Sequence, residues 1–175
     1  NFTLNGLDHY RISNELLHLE EAQFNDYFAK QRVKGIMPRG EFAEVCAQSI
    51  RADVLAFKEK IKDYSSPHSE SVDFVVETTQ GNIRLFGYME PLFGDENQII
   101  EWRFAKYKDR YRIRPWLYYL IQLATKENAL PPRIIAKDKD LTLKTIEKST
   151  ALEKLKMYVE AYLQSQQQIQ LIPTE

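Results

Sequence analysis

The sequence predicts an α+β fold, a central mixed sheet flanked by helices, because the period of its apolar residues changes twice along the chain. Apolar positions recur at helical spacing as far as Ile61, alternate with polar ones between Val72 and Met89, and return to helical spacing from Ile113. Composition supports a packed core: 43% of the 175 residues are apolar and 28% charged, a balance that suits globular folding rather than disorder. The length fits a single domain over 1–175, with a helical part over 1–69 and a sheet-and-helix part over 70–175.

Taken in order, Ser13 is placed to cap a first helix whose apolar positions are Leu16, Leu17, Phe24, Tyr27 and Phe28, with a break near Glu20-Glu21. Gly35 ends it. After the turn "GIMPRGE", Phe42, Val45, Cys46, Ile50, Phe57 and Ile61 trace one face of a long second helix. "SSPHSE" is a loop. Strands are expected near 71–78, 82–90 and 98–104, forming a meander, with "TTQGN" as the first hairpin turn and Pro91 stopping the pairing of the second strand. A third helix begins at Pro115 or is kinked there, "PPRIIAKD" is a fourth strand, and Leu152, Leu155, Val159, Tyr162 and Leu163 mark a final helix that fades into "QSQQQIQ".

Charge narrows the function classes. A net charge of −1 excludes a uniformly basic nucleic-acid binder. Between Arg103 and Arg114, however, six cations stand against the single acid Asp109, a local sum of +5 that leaves −6 on the rest of the chain. Tyr107 and Tyr111 interleave with Arg103, Lys106, Lys108, Arg110, Arg112 and Arg114. Cations for phosphate beside rings for bases make these eight residues the DNA-binding candidates. Leu92 and Phe93, in the nearby turn "EPLFGDENQ", are candidates to help separate strands.

Cys46 is the only cysteine, so these residues hold neither an internal disulfide nor a four-cysteine zinc site. His9, His18 and His68 lack metal-ligand spacing, and neither a glycine-rich phosphate loop nor a G-x-S-x-G elbow is present. No apolar run approaches the roughly 20 residues of a membrane span. The opening Asn1-Phe2-Thr3 carries no leader, so the chain reads as a piece excised from a larger one.

One stretch has the order of a catalytic motif. Metal-dependent nucleases of the D/E-x-K type set two carboxylates on Mg²⁺ and a lysine on the attacking water. Glu101-Trp102-Arg103 follows an apolar strand start in that order, with arginine where the lysine would stand, and Glu90 ends the neighbouring strand. Arginine keeps its proton at any accessible pH. An ion pair of Arg103 with Glu101 or Glu90 is therefore the plainer outcome, and no catalytic residue and no cofactor is expected. Mg²⁺ enters only under the alternative of a residual nuclease using Glu90 and Glu101; a further alternative is a protein-interaction module whose basic stretch meets an acidic partner.

The segments "FTLNGLDHYRISNELL", "GIMPRGEFAE", "GYMEPL" and "EWR" resemble, in the same order, the C-terminal domain family of RecC, the gamma subunit of exodeoxyribonuclease V. The similarity runs from Phe2 to "IQLIPTE"; it implies chains that continue past this endpoint, and the domain is therefore expected to be truncated at Glu175. The resemblance implies a degenerate PD-(D/E)xK nuclease-like fold that has lost catalysis. It implies a scaffold within the RecBCD helicase–nuclease, whose RecB and RecD subunits carry the motors and whose RecB carries the cutting site. The implied partners are RecB, RecD, double-stranded DNA ends and the separated single strands, and no membrane. The implied role is DNA-end binding, strand separation and subunit assembly in double-strand-break repair by homologous recombination, in the bacterial cytoplasm with a nucleoid-associated function.

Overall fold

The computed structural model describes residues 4–64, 66–93 and 98–169, and they fall into two compact units. The first holds the described residues up to Asp63 together with Trp102–Tyr107 and Ala136–Asp138. It is built on three helices, α1 (Gly6–Leu16), α2 (Phe24–Val33) and α3 (Glu41–Ile61), with a 3₁₀ turn at Glu21–Gln23. The expected single first helix is thus broken where Glu20-Glu21 suggested. Asn5, rather than Ser13, caps α1: its side-chain oxygen accepts from the Asp8 backbone N–H at 2.8 Å. Ser13 lies buried inside the helix and donates to the His9 carbonyl at 2.8 Å, the alternative bond that serine makes within a helix. Gly35, at φ +72°, follows α2 as expected.

The buried side of α3 is Ala43, Ala47, Ile50, Val54, Phe57 and Ile61, while Phe42 and Val45, expected on that side, are exposed and Cys46 is half-buried. Phe57 meets Phe104 edge-on, with ring centroids 5.2 Å apart at 86°, and Trp102 at 6.3 Å. Lys137 lies 4.4 Å over the Phe104 ring and pairs with Asp53 at 2.7 Å.

The second unit comprises Tyr64–Glu101, Lys108–Ile135 and the described residues from Lys139 onward. Its hairpin pairs β1 (His68–Thr78) with β2 (Gly81–Leu92) in antiparallel register, Val72 opposite Gly87 and Val76 opposite Ile83. The turn is where "TTQGN" placed it, and Gly81 takes the positive φ, +115°, that it requires. Pro91 does not stop the strand. Met89 pairs with Glu70 and Leu92 with His68, so Glu90 and Pro91 together oppose Ser69 in a bulge, a position that asks no ladder N–H of proline.

Alternate residues of the hairpin turn inward. Phe74 packs on Tyr119, Leu120, Leu123, Ala151 and Leu155 from α4 (Ile113–Thr125) and α5 (Lys148–Ile169), and Met89, Leu92 and Ile99 form a second cluster with Val72, Tyr118 and Ile121. Of the face expected for the last helix, Leu155 is buried whereas Leu152 and Tyr162 are exposed.

The expected central meander is divided. β3 (Gln98–Arg103) lies in a second sheet with β4 (Leu130–Ala136) and the short β5 (Asp140–Thr142), in the order β3-β4-β5. An antiparallel bridge joins β3 to the end of β2, in which the Ile100 N–H donates to the Phe93 carbonyl at 2.8 Å. Gln98 reaches the Pro131 carbonyl at one end, and Lys137 donates to Ala105 at the other. β3 and β4 therefore run in the same direction, with α4 as the crossover between them. The architecture is α+β with two small sheets. Among the described residues no helix is long and apolar enough to cross a membrane. The tip of the turn at 94–97, beyond Leu92 and Phe93, lies outside the described residues.

Candidate functional site

Three successive residues of β3, Ile99, Ile100 and Glu101, are buried, so both faces of the strand are covered at the point where the acid stands. A carboxylate removed from water in this way requires a compensating cation. Arg114 supplies it: Nη2 lies 2.5 Å and Nε 3.2 Å from Oε2 of Glu101, whose side chain is 4% exposed. A 3₁₀ turn over Asp109–Arg112 leads directly into α4, which starts two residues ahead of Pro115 and so sets Arg114 at its second position. Pro115 falls in the first turn, where its missing N–H breaks no helical bond. One cation holding Glu101 is thus an arginine thirteen residues away, a partner that the strand alternation linking Glu101 to Arg103 does not reveal.

Glu90 is exposed at the bulge of β2, and its backbone carbonyl accepts from the Tyr118 hydroxyl at 3.3 Å. Arg103 is exposed at the end of β3. Among the described residues no three His, Cys, Asp or Glu side chains come together as a metal-binding group. A further acid, absent from the candidates drawn from the sequence, is neutralised in the same manner as Glu101. Glu70 accepts from Lys126 at 2.9 Å and from Gln122 Nε2 at 3.1 Å. Its signal is present in the sequence, since Glu70 stands in step with the inward-facing Val72 and Phe74.

The cationic run divides between the two units. In the first, Arg103 and Lys106 are exposed, and the Tyr107 backbone N–H donates to Asp138 at 2.7 Å. In the second, Lys108 is exposed, Arg110 lies 5.7 Å over the half-buried Tyr111 ring, and Arg112 pairs with Asp109 at 3.3 Å. Arg114 differs from these in being drawn into the Glu101 pair. Beside Arg112, a cleft of about 370 Å³ is lined by Asp109, Ile113, Trp116, Leu143 and Lys144. Periodicity assigns Trp116 no role and leaves Lys144 in an unassigned connection.

These features define a class: an α+β domain whose interior acids are committed to ion pairs and whose exposed cations interleave with tyrosine. The chain belongs to the RecC C-terminal domain family, whose model matches residues 1–175. It is 54% identical over 178 residues to the RecBCD enzyme subunit RecC of Haemophilus influenzae, an alignment covering 99% of this chain and 16% of that protein. It is 27% identical over 124 residues to the RecBCD enzyme subunit RecC of Buchnera aphidicola, covering 69% of this chain and 11% of that protein. The chain therefore spans a small part of the length of the curated relatives it matches.

Proposed function

We propose that this domain is a non-catalytic, DNA-facing scaffold within a RecC-type subunit of a helicase–nuclease, engaging RecB- and RecD-type subunits and supporting DNA-end binding and strand separation in recombinational repair. The observation that carries the non-catalytic part is the Glu101–Arg114 pair. A carboxylate whose Oε2 already accepts two guanidinium N–H groups is poorly disposed to bind Mg²⁺, and Arg103 cannot replace the water-positioning lysine. This weighs against a residual nuclease built on Glu90 and Glu101. The β3–α4–β4 crossover after a hairpin supports descent from a nuclease-like fold.

The DNA-facing part rests on the exposed Lys106 next to Tyr107 in the first unit and, separately, on the exposed Lys108 and Arg110 with Tyr111 in the second. Trp116 and Lys144 extend the same chemistry around the cleft. Changing Lys106, Lys108, Arg110 and Arg112 together to Gln tests it, with forked-duplex binding by the reconstituted complex measured across a salt series. For every phosphate that goes unneutralised, the slope of log affinity against log salt should fall by about 0.9. An unchanged affinity and slope, with assembly intact, would show that the cations face a protein or water.

A further inference from the structure

The outward side of the β1–β2 hairpin is used by nothing described above. Directly paired residues of an antiparallel ladder project to the same side. Ser71 with Tyr88, Asp73 with Phe86 and Val75 with Arg84 therefore share one face, and it is the face away from the core clusters. On it Phe86 is 78% exposed, Tyr88 71% and Val75 53%. Strands alternating in this way ordinarily present polar groups to water. Three large apolar side chains grouped on the open face of a two-stranded sheet are instead the composition of an interface, where phenylalanine and tyrosine are enriched.

The charges on this face decide the class of partner. Arg84 is committed to Asp73, with Nε and Nη2 at 2.7 and 2.6 Å from its two carboxylate oxygens, and its guanidinium lies 5.8 Å over the Phe86 ring. That clamp leaves Glu77 and Glu90 as the remaining charges of the two strands' exposed positions, both acidic. A phosphate backbone would be repelled by this border, whereas a protein surface carrying lysine or arginine around an apolar patch would complement it.

We infer that the outer face of the hairpin, centred on Phe86 and Tyr88, is the docking surface for another subunit of the assembled enzyme, one that presents an apolar patch bordered by basic residues. This rests on the scaffold reading above and adds the surface and the chemistry of the partner. Arg84 acts as a positioning residue, since its bond to Asp73 fixes the guanidinium against the Phe86 ring and holds the patch in shape before the partner arrives.

The test uses the full-length subunit with Tyr88→Cys, and maleimide labelling at position 88 is followed by mass spectrometry. Labelling should be fast in the subunit alone, unaffected by forked DNA, and slowed on adding the partner subunits without DNA. In a second variant, Phe86→Asp with Tyr88→Asp should raise the dissociation constant of assembly about tenfold or more, as for the loss of a hot spot, with the subunit's melting temperature unchanged. Slow labelling in the subunit alone would mean that its own remaining chain covers the face, and would overturn the inference. Protection by DNA, or undiminished labelling in an assembled enzyme, would overturn it equally while leaving the scaffold reading in place. Failure of the unmodified subunit to assemble at all would remove both.

Discussion

Arg114 donates through both Nη2 and Nε to a single oxygen of Glu101, at 2.5 and 3.2 Å, and so joins the second residue of α4 to the buried part of β3. The pair is asymmetric: the Glu101 side chain is 4% exposed and that of Arg114 38%. Removing the arginine withdraws two charge-assisted hydrogen bonds from a buried carboxylate, whereas removing the acid releases a cation that water can reach. Arg114→Ala should therefore destabilise the subunit by about 1–3 kcal/mol, and Glu101→Gln by less. Urea unfolding of the two variants checks the order. A larger loss for Glu101→Gln would mean that other interactions of the carboxylate outweigh this pair.

The same pair sets an expectation for catalysis. The isolated full-length subunit should not cut linear duplex or single-stranded DNA with Mg²⁺ or Mn²⁺, and Arg103→Lys should not restore cutting, because Arg114 still donates to Glu101 Oε2 when residue 103 is changed. Metal-dependent cleavage that disappears with Glu101→Ala would overturn this.

What the sequence discloses depends on the range of the interaction that decides each feature. The hairpin is legible because Val72, Phe74 and Val76 alternate and Gly81 marks the turn, both local properties. Ser13 is not the expected cap because a serine hydroxyl serves equally inside a helix, as its bond to His9 shows. The inner face of α3 departs from expectation at Phe42 and Val45 because Ala43 and Ala47, which allow close approach, carry little hydropathic weight. The division into two sheets, the Arg114 partner of Glu101 and the Lys126 partner of Glu70 depend on residues far apart in the chain. Local periodicity holds no information on such pairings.

The hairpin turn carries a pH dependence. The Thr79 backbone N–H donates to the Glu160 carboxylate of α5 at 2.8 Å, and this bond holds the Glu160 carboxyl below the usual glutamate range. A depressed folded-state pKa contributes stability that is present above the unfolded value and is lost as pH falls through the folded one. The Thr79 amide resonance should accordingly titrate with a midpoint below that of an ordinary glutamate, and Glu160→Gln should abolish the step. A midpoint at or above the ordinary value would show that the bond does not form in solution.

The two kinds of arginine in the cationic run should separate in a single experiment. Arg110 lies over Tyr111 with its positive charge on an exposed residue, while Arg114 is drawn against Glu101. A cation that meets phosphate displaces a counterion and contributes to the salt slope; one already neutralised by a buried carboxylate does not. In the assembled enzyme, Arg110→Gln should lower the slope of log affinity against log salt for forked DNA by about 0.9 at unchanged stability. Arg114→Gln should leave the slope alone and lower the unfolding midpoint. Parallel salt titrations and urea melts of the two variants decide it. A slope change for Arg114→Gln equal to that for Arg110→Gln would mean that the Glu101 pair opens when DNA binds, and that the buried acid is part of the nucleic-acid surface after all.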